Sequence, residues 1–289
     1  MHPAPSVLIF TVLSGLGFGT LAFLAVFAHL SGSPALLMWG LGYGLAITGL
    51  LASTFHLGHP ERAWRAFSQW RSSWLSREGI AAVATLIVLA PVALSDWLGL
   101  GWSRLPGLMG AGLALVTIAT TSMIYAQLKT VPRWNHWTTP AQFFGFAMAG
   151  GALVTGQGAS PLLLALLAAA LVAHWHFGDR RFAQVGATMG SATGLGALGK
   201  MSVFDPAHTA GNYLMREMIF IVGRKHAAKL RVIALVLACL IPGLIALVSA
   251  HPVATAFAVL IHMTGAFAAR WLFFAQAEHV VGLYYGKRQ

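Results

Sequence analysis

Long apolar stretches with almost no charge follow one another along the whole chain of 289 residues. Hydrophobic residues make up 57% of the sequence and charged residues only 9%, whereas a soluble domain carries charge on about a quarter of its residues. So few charged side chains cannot cover the surface of a water-soluble protein of this length. The apolar runs are continuous rather than alternating, which argues against membrane strands. The sequence therefore predicts an all-α integral membrane protein.

Eight of the apolar stretches approach the length that a membrane crossing needs, about 20 residues. We expect the whole chain, 1–289, to be one membrane domain of eight transmembrane helices, with an interfacial helix after the second and a long connection, 178–228, after the sixth. Within that connection, 213–222 is too short and too charged to cross, which favours an interfacial or docking helix over a solvated basic loop. The eight predicted spans lie near 6–30, 35–57, 78–98, 105–127, 140–157, 160–177, 229–250 and 253–275.

The charges are distributed very unequally between the two ends of these predicted spans. If all eight stretches cross, one face carries 17 of the 18 basic residues and six of the seven acidic ones, and the other carries only Arg104 and Asp96. Short loops rich in lysine and arginine lie on the cytoplasmic side of a membrane. Both termini and the even-numbered connections are thus predicted to be cytoplasmic. The basic excess is a topology signal in such a chain, and we predict no nucleic-acid partner.

Cysteine usage limits the redox chemistry that this chain can perform by itself. The single cysteine, Cys239, lies in an apolar run. One cysteine cannot form an intrachain disulfide, a four-cysteine iron–sulfur site or a zinc ribbon. We predict no metal site on this chain, so redox chemistry would require the cofactors of a partner, a quinone, or a haem held by histidines.

A polar segment between the second and third stretches contains the residues with the most chemical potential. His56 ends an apolar helix, and Pro60 suits the start of a new one. Apolar residues then recur at helical spacing through Ala63, Phe67, Trp70 and Trp74, which predicts an amphipathic helix lying in the membrane plane. Ser76 is the predicted N-cap of the third span, with Glu78 in its first turn.

His56 and Glu78 flank this segment at the same predicted membrane depth. Ionisable groups inside a membrane are costly and are therefore candidates for function. A quinone site needs an apolar slot, a hydrogen-bond donor to one carbonyl oxygen and a route for two protons, and a histidine with a nearby carboxylate supplies the polar part. The alternative is structural: His56 caps a helix, and Glu78 pairs with Arg77 or Arg62.

Two stretches of this sequence resemble the membrane anchor subunits of the dimethyl sulfoxide reductase family. In that family a molybdenum catalytic subunit and an iron–sulfur subunit dock on an anchor that exchanges electrons with the quinone pool. The resemblance implies that His56 and Glu78 are the quinone-site residues, and we expect Arg65, Trp74, Arg77 and Trp134 to complete the site. The quinone would be ubiquinone or menaquinone. The matching stretches are 55–64 with 73–78, and 130–134 with 137–140 and 143–144; the chain departs from the pattern at His59.

The predicted sidedness selects among the activities known in this family. Both matching stretches lie on the basic face, so the iron–sulfur and molybdenum subunits are expected to dock on the cytoplasmic face of a bacterial inner membrane. The resemblance then favours the sulfite-oxidising type, in which electrons run from sulfite to quinone. The alternative within the family is the anchor of a sulfoxide-type reductase that oxidises quinol.

Two other classes of membrane protein remain open from the residues alone. A cytochrome subunit would hold haem b between two imidazoles from different spans; the candidate histidines are His29, His56, His174, His176 and His262. A transporter is disfavoured because no acidic residue lies in the middle of a span and no internal repeat occurs. The aromatic and basic cluster Arg133, Trp134, His136 and Trp137 fits either an interfacial belt or a second wall of a quinone pocket.

Overall fold

A computed structural model of the chain describes residues 2–27, 29–56, 59–202 and 226–285. Every regular element in these ranges is helical, as the apolar stretches predicted. Two 3-10 segments, Ser53–His56 and Pro60–Gln69, separate the second and third long helices. The α-helices are α1 (Pro5–Phe27), α2 (Gly32–Ala52), α3 (Trp74–Leu98), α4 (Leu105–Ala126), α5 (Thr138–Val154), α6 (Ser160–Val185), the short α7 (Met189–Thr193), α8 (Ala227–Val248, with a π-helical turn at Val236–Leu240) and α9 (Pro252–Ala275).

Seven of the described helices are long and apolar enough to cross a membrane: α1, α2, α3, α4, α6, α8 and α9. The predicted span near 140–157, the fifth in chain order, corresponds to α5, which has only 17 residues. At a rise of 1.5 Å per residue such a helix is about 26 Å long, against about 30 Å for the hydrocarbon core. Most of its residues are buried between its neighbours. The structure therefore supports seven crossings by length, and α5 is a short helix enclosed by the others.

The central helices approach one another closely because small residues line their contacts. Gly17 on α1 lies against the backbone of Ala46 on α2. Gly19, also on α1, lies against the carbonyl of Ala147 on α5. A side chain at either glycine would collide with backbone atoms of the neighbouring helix. Such small-residue contacts are typical of membrane helices, whose association depends on close van der Waals packing.

Charged residues connect the helices at both ends of the bundle. At one end Asp179 of α6 accepts hydrogen bonds from Arg133 at 2.6 Å and from Arg231 of α8 at 2.6 and 2.8 Å. At the other end Asp96 of α3 accepts from the Trp39 indole of α2 and from Arg104, each at 3.0 Å. The first group brings together the loop before α5, the end of α6 and the start of α8.

The segment between α2 and α3 differs in detail from the predicted interfacial helix. It is a 3-10 helix over Pro60–Gln69, and Trp74 is the first residue of α3. The predicted N-cap at Ser76 is wrong: Ser73 occupies that position, and the buried Ser76 hydroxyl instead donates to the carbonyl of Ala66. Helix α3 therefore begins at Trp74, earlier than predicted, because the 3-10 segment folds back on the start of this helix.

The connection after the sixth predicted span starts later than the sequence suggested. Helix α6 continues to Val185 and ends where Gly186 adopts a left-handed conformation with φ of 62°. Glycine accepts this conformation without the steric penalty that a Cβ atom brings. The predicted interfacial or docking helix at 213–222 lies outside the described residues.

Candidate functional site

Glu78 is buried inside the helix bundle near the start of α3. Its side chain is only 4% exposed, and its Oε1 has no hydrogen-bond partner among the described residues. The hydroxyl of Thr121 on α4 lies beside the carboxyl group, and Tyr125, one turn further along α4, interacts with it electrostatically. Burying a carboxyl group without full compensation is costly. Buried ionisable groups of this kind are concentrated at sites of ligand binding or proton transfer, which makes Glu78 a candidate site residue.

The structural alternative, in which Glu78 pairs with Arg77 or Arg62, is wrong. Arg77 donates to the carbonyl oxygens of Trp70 at 2.9 Å and Arg71 at 2.7 Å, and its guanidinium carbon lies 4.3 Å from the centroid of the Trp74 ring. Arg62 lies 3.7 Å from Glu61, which also contacts His59 at 3.0 Å. Both arginines therefore have partners other than Glu78.

The 3-10 helix Pro60–Gln69 covers the start of α3 and holds the surroundings of Glu78 in place. The hydrogen bond from Ser76 to Ala66 joins the two elements. The Phe67 ring lies 3.4 Å from the position that a Cβ atom on Gly79 would occupy, so it packs directly over the residue after Glu78. Arg77 binds the carbonyl oxygens of Trp70 and Arg71, the two residues that directly follow this segment.

The other predicted site residues fall into two groups. Trp74 and Arg77 stack beside Glu78 at the start of α3. Arg65 is exposed on the 3-10 helix, with its guanidinium carbon 5.6 Å from the Trp64 ring. The backbone of His56 ends the segment Ser53–His56, but the position of its imidazole lies outside what the structure describes.

Trp134 lies in the interior rather than at an exposed interface. It is 3% exposed, its indole N–H donates to the carbonyl of Phe273 at 3.0 Å, and its ring stacks on that of Phe273 at 5.1 Å. It also meets Tyr125 edge to face at 5.3 Å. Trp134 thus reaches the surroundings of Glu78 through Tyr125, as part of an aromatic core.

Sequence reasoning missed Arg270, which is 2% exposed on α9. Its guanidinium carbon lies 3.6 Å from the centroid of the Phe143 ring, and its Nη1 has no partner among the described residues. Tyr125 interacts electrostatically with both Arg270 and Glu78. The available signal was the position of Arg270, five residues before the end of the last apolar stretch. Because Arg270 is also close to the basic C-terminal tail, the sequence suggests that it belongs to that tail.

Two of the histidines considered for haem, His174 and His262, are buried and have hydrogen-bond partners within the bundle. His174 on α6 is 1% exposed and its Nδ1 lies 3.1 Å from the Thr138 hydroxyl. His262 on α9 donates from Nδ1 to the carbonyl of Ala238 at 2.6 Å. His176 is exposed and lies 3.1 Å from Arg180, and His29 is also exposed. Each of the two buried imidazoles contacts a neighbouring helix through Nδ1, and haem ligation stays an untested alternative.

The surroundings of Arg133, in the loop before α5, shift the pKa of its guanidinium group in opposite directions. Arg133 is partly enclosed, and burial lowers its pKa from the ordinary value, while the hydrogen bond to Asp179 opposes that change. Its Nη1 lies 2.8 Å from the position that a Cβ atom on Gly178 would occupy. The absence of a side chain at Gly178 therefore makes room for Arg133 to reach Asp179.

Comparison with known proteins agrees with this architecture. Residues 1–276 match the family described as DMSO reductase anchor subunit (DmsC). The chain is 32% identical over 329 aligned positions to the C subunit of the sulfite dehydrogenase of Allochromatium vinosum, and the alignment covers 99% of each chain. No solved structure matches the chain. This multi-pass membrane protein therefore belongs to the family of DMSO reductase anchor subunits, the membrane-bound members of multi-subunit oxidoreductase complexes.

Proposed function

We propose that this anchor subunit passes electrons between an iron–sulfur subunit and the quinone pool, at a site formed by His56 and Glu78. The buried Glu78 carboxyl group, with one oxygen left without a partner among the described residues, carries this proposal. A polar atom in this state suits a ligand that brings its own hydrogen-bonding group. The covering segment Pro60–Gln69 contributes exposed aromatic rings, which suit the apolar ring and tail of a quinone.

The residues around Glu78 have separate roles in this proposal. A quinone takes up two electrons and two protons when it is reduced. His56 donates a hydrogen bond to one carbonyl oxygen, and Glu78 holds and delivers a proton at the other side of the site. Trp74 and Arg77 fix the covering segment over the site through their stacking and through the two carbonyl contacts of Arg77. Arg65 is exposed on the covering segment and contributes at the surface of the site. Trp134 contributes indirectly, through its contact with Tyr125.

The direction that we propose runs from sulfite oxidation to ubiquinone or menaquinone. The relative from Allochromatium vinosum is a component of a sulfite dehydrogenase, which supports this choice. The molybdenum catalytic subunit would oxidise sulfite, and the iron–sulfur subunit would bring the electrons to this chain. A sulfoxide-type reductase, supported by the family description, is the second candidate.

We also propose that α5 is the eighth crossing and that the Asp179 end of the bundle faces the cytoplasm of a bacterial inner membrane. Thr138 at the start of α5 contacts His174 in the second half of α6, and Gly145, further along α5, packs against Leu167, which precedes His174 on α6. Helices α5 and α6 therefore run antiparallel side by side, which supports a crossing by the short α5. With eight crossings the basic residues gather at one end, where the iron–sulfur subunit would dock.

The proposal is tested with Glu78→Gln in the intact complex, with Glu61→Gln as the matched control. Glu61 is exposed and pairs with His59 and Arg62, outside the buried site. We expect Glu78→Gln to lower the rate of quinone reduction by about tenfold or more, because a positioned proton donor contributes at least this much. Turnover with an artificial electron acceptor should not change. Equal quinone reduction in both variants, with the same dependence on pH, would remove Glu78 from the site.

A further inference from the structure

Three polar side chains form a continuous hydrogen-bonded series from the loop before α5 into the bundle. Nδ1 of His136 lies 3.0 Å from the Thr138 hydroxyl, and the same hydroxyl lies 3.1 Å from Nδ1 of His174. His136 is partly exposed, whereas Thr138 and His174 are buried. Burial and the charge of Arg181 lower the pKa of His136 from its ordinary value. An imidazole can take up a proton on one ring nitrogen and release one from the other.

Buried polar atoms on α5, α6 and α9 have no hydrogen-bond partner in the described part of the chain, and one of them belongs to His174, the inner end of the series. Nε2 of His174 has none, and neither do the amide nitrogen of Gln142 and Nη1 of Arg270. Buried polar groups are almost always paired, with ordered water where protein partners are missing. Internal water would satisfy such atoms on α5, α6 and α9, and the relay proposed below uses it at Nε2 of His174.

His174 lies near the surroundings of Glu78. The centroid of the Phe273 ring is 5.7 Å from that of the His174 ring and 5.4 Å from that of the Tyr125 ring, and Tyr125 in turn interacts electrostatically with Glu78. The charged or titratable groups that face His174 are Arg133, Arg270, His136 and Arg231. All the arginines would repel a charged imidazolium, so proton transfer through His174 must leave its ring neutral.

We propose that His136, Thr138 and His174 form a proton relay that carries protons from the α4–α5 loop to the buried polar groups beside Glu78. The relay rests on the proposed quinone site, which consumes two protons for each quinone reduced. A hydroxyl group accepts a proton from one imidazole while it donates its own to the next. The proton that arrives at Nδ1 of His174 is matched by one that leaves from Nε2 to internal water. No electrons move in the relay, and one proton reaches Glu78 for each proton taken up at His136.

The chain offers a matched pair of threonines for the test. Thr138→Val removes the central hydroxyl group and keeps the shape of the side chain. Thr139→Val makes the same change at the next residue, which is equally buried and whose hydroxyl has no partner among the described residues. Thr138→Ser restores a hydroxyl group at the relay position. Each variant is purified as the intact complex and assayed with quinone and with an artificial acceptor.

A relay predicts a specific pattern of rates. Thr138→Val should reduce quinone about tenfold or more slowly than the parent complex, with a larger solvent isotope effect and partial recovery on addition of imidazole as a proton carrier. Thr138→Ser should keep most of the activity, and Thr139→Val and all artificial-acceptor rates should be unchanged. A structural hydrogen bond alone would change the stability of the subunit without an isotope effect or imidazole recovery, and that pattern would overturn the relay.

The outcomes separate the relay from the quinone site on which it rests. If Glu78→Gln slows quinone reduction but Thr138→Val behaves like Thr139→Val, the relay is wrong and the site stands. If Glu78→Gln has no effect while Thr138→Val shows imidazole recovery, the relay delivers protons to a different acceptor and its proposed end point is wrong. If the parent complex reduces no quinone, both proposals are wrong.

Discussion

The guanidinium group of Arg270 lies over the face of the Phe143 ring, with its carbon 3.6 Å from the ring centroid. Phe146 lies on the same face of α5 one turn further along, with its ring centroid 5.1 Å from the same carbon. The positive charge of Arg270 is thus stabilised inside the bundle by the faces of two aromatic rings. Buried arginines are more commonly paired with a carboxylate. Desolvated contacts between a cation and an aromatic ring are worth about 2 kcal/mol or more.

Phe143→Leu should therefore destabilise the subunit more when Arg270 is present than when it has been replaced by methionine. The reason is that leucine leaves the buried guanidinium group without its aromatic partner. We expect a coupling of about 1–2 kcal/mol between the two positions, measured by unfolding the single and double variants in detergent. Additive effects of the two substitutions would show that the ring and the charge do not interact.

His56→Ala should abolish quinone-coupled turnover and leave the complex assembled. The imidazole is the proposed donor to a quinone carbonyl, and its removal should cost about a hundredfold in rate or more. His59→Ala is the control, because His59 is exposed and contacts Glu61. The rates of sulfite-dependent quinone reduction and of artificial-acceptor reduction are compared for both variants. Normal quinone reduction by His56→Ala would exclude the assigned role.

Asp179→Asn should loosen the end of the bundle where the loop before α5, α6 and α8 meet. Asparagine retains the shape but loses the charge that binds both Arg133 and Arg231. Because the carboxylate is 44% exposed, solvent screens these pairs, and we expect a loss of about 1–2 kcal/mol rather than the larger cost of a buried pair. The check is thermal unfolding in detergent. Glu61→Gln, at an exposed pair, should leave the unfolding temperature unchanged.

A reporter fused after Gln289 should be active only as a cytoplasmic reporter. The expectation follows from the 17 basic residues on one face against one on the other when eight helices cross. Sulfite oxidation would then release protons on the same side of the membrane from which quinone takes up protons. No charge would cross the membrane, so a potential-sensitive dye should show no change during turnover in proteoliposomes. A periplasmic C-terminus would instead favour the sulfoxide-type reductase.

Sequence patterns located the helices well because burial in lipid requires long apolar runs wherever the chain crosses. They also singled out Glu78, since a carboxyl group at the start of an apolar stretch is conspicuous. They placed the N-cap of α3 at Ser76 rather than Ser73, because capping depends on where the covering segment folds back. The contacts of Arg270 and His174 come from different helices, and no local pattern records which helices become neighbours.

The close backbone contacts of α1 with α2 and α5 make the centre of this subunit resistant to deformation. At Gly17 and Gly19 the backbones are already in contact, so α2 and α5 cannot move closer to α1, and close-packed interiors have low compressibility. Electron tunnelling slows exponentially as the distance between donor and acceptor grows. If this subunit transfers electrons as proposed, its close-packed centre would hold the donor and the acceptor at a fixed separation while the surrounding lipid fluctuates, so the transfer rate would not vary with the motion of the bilayer.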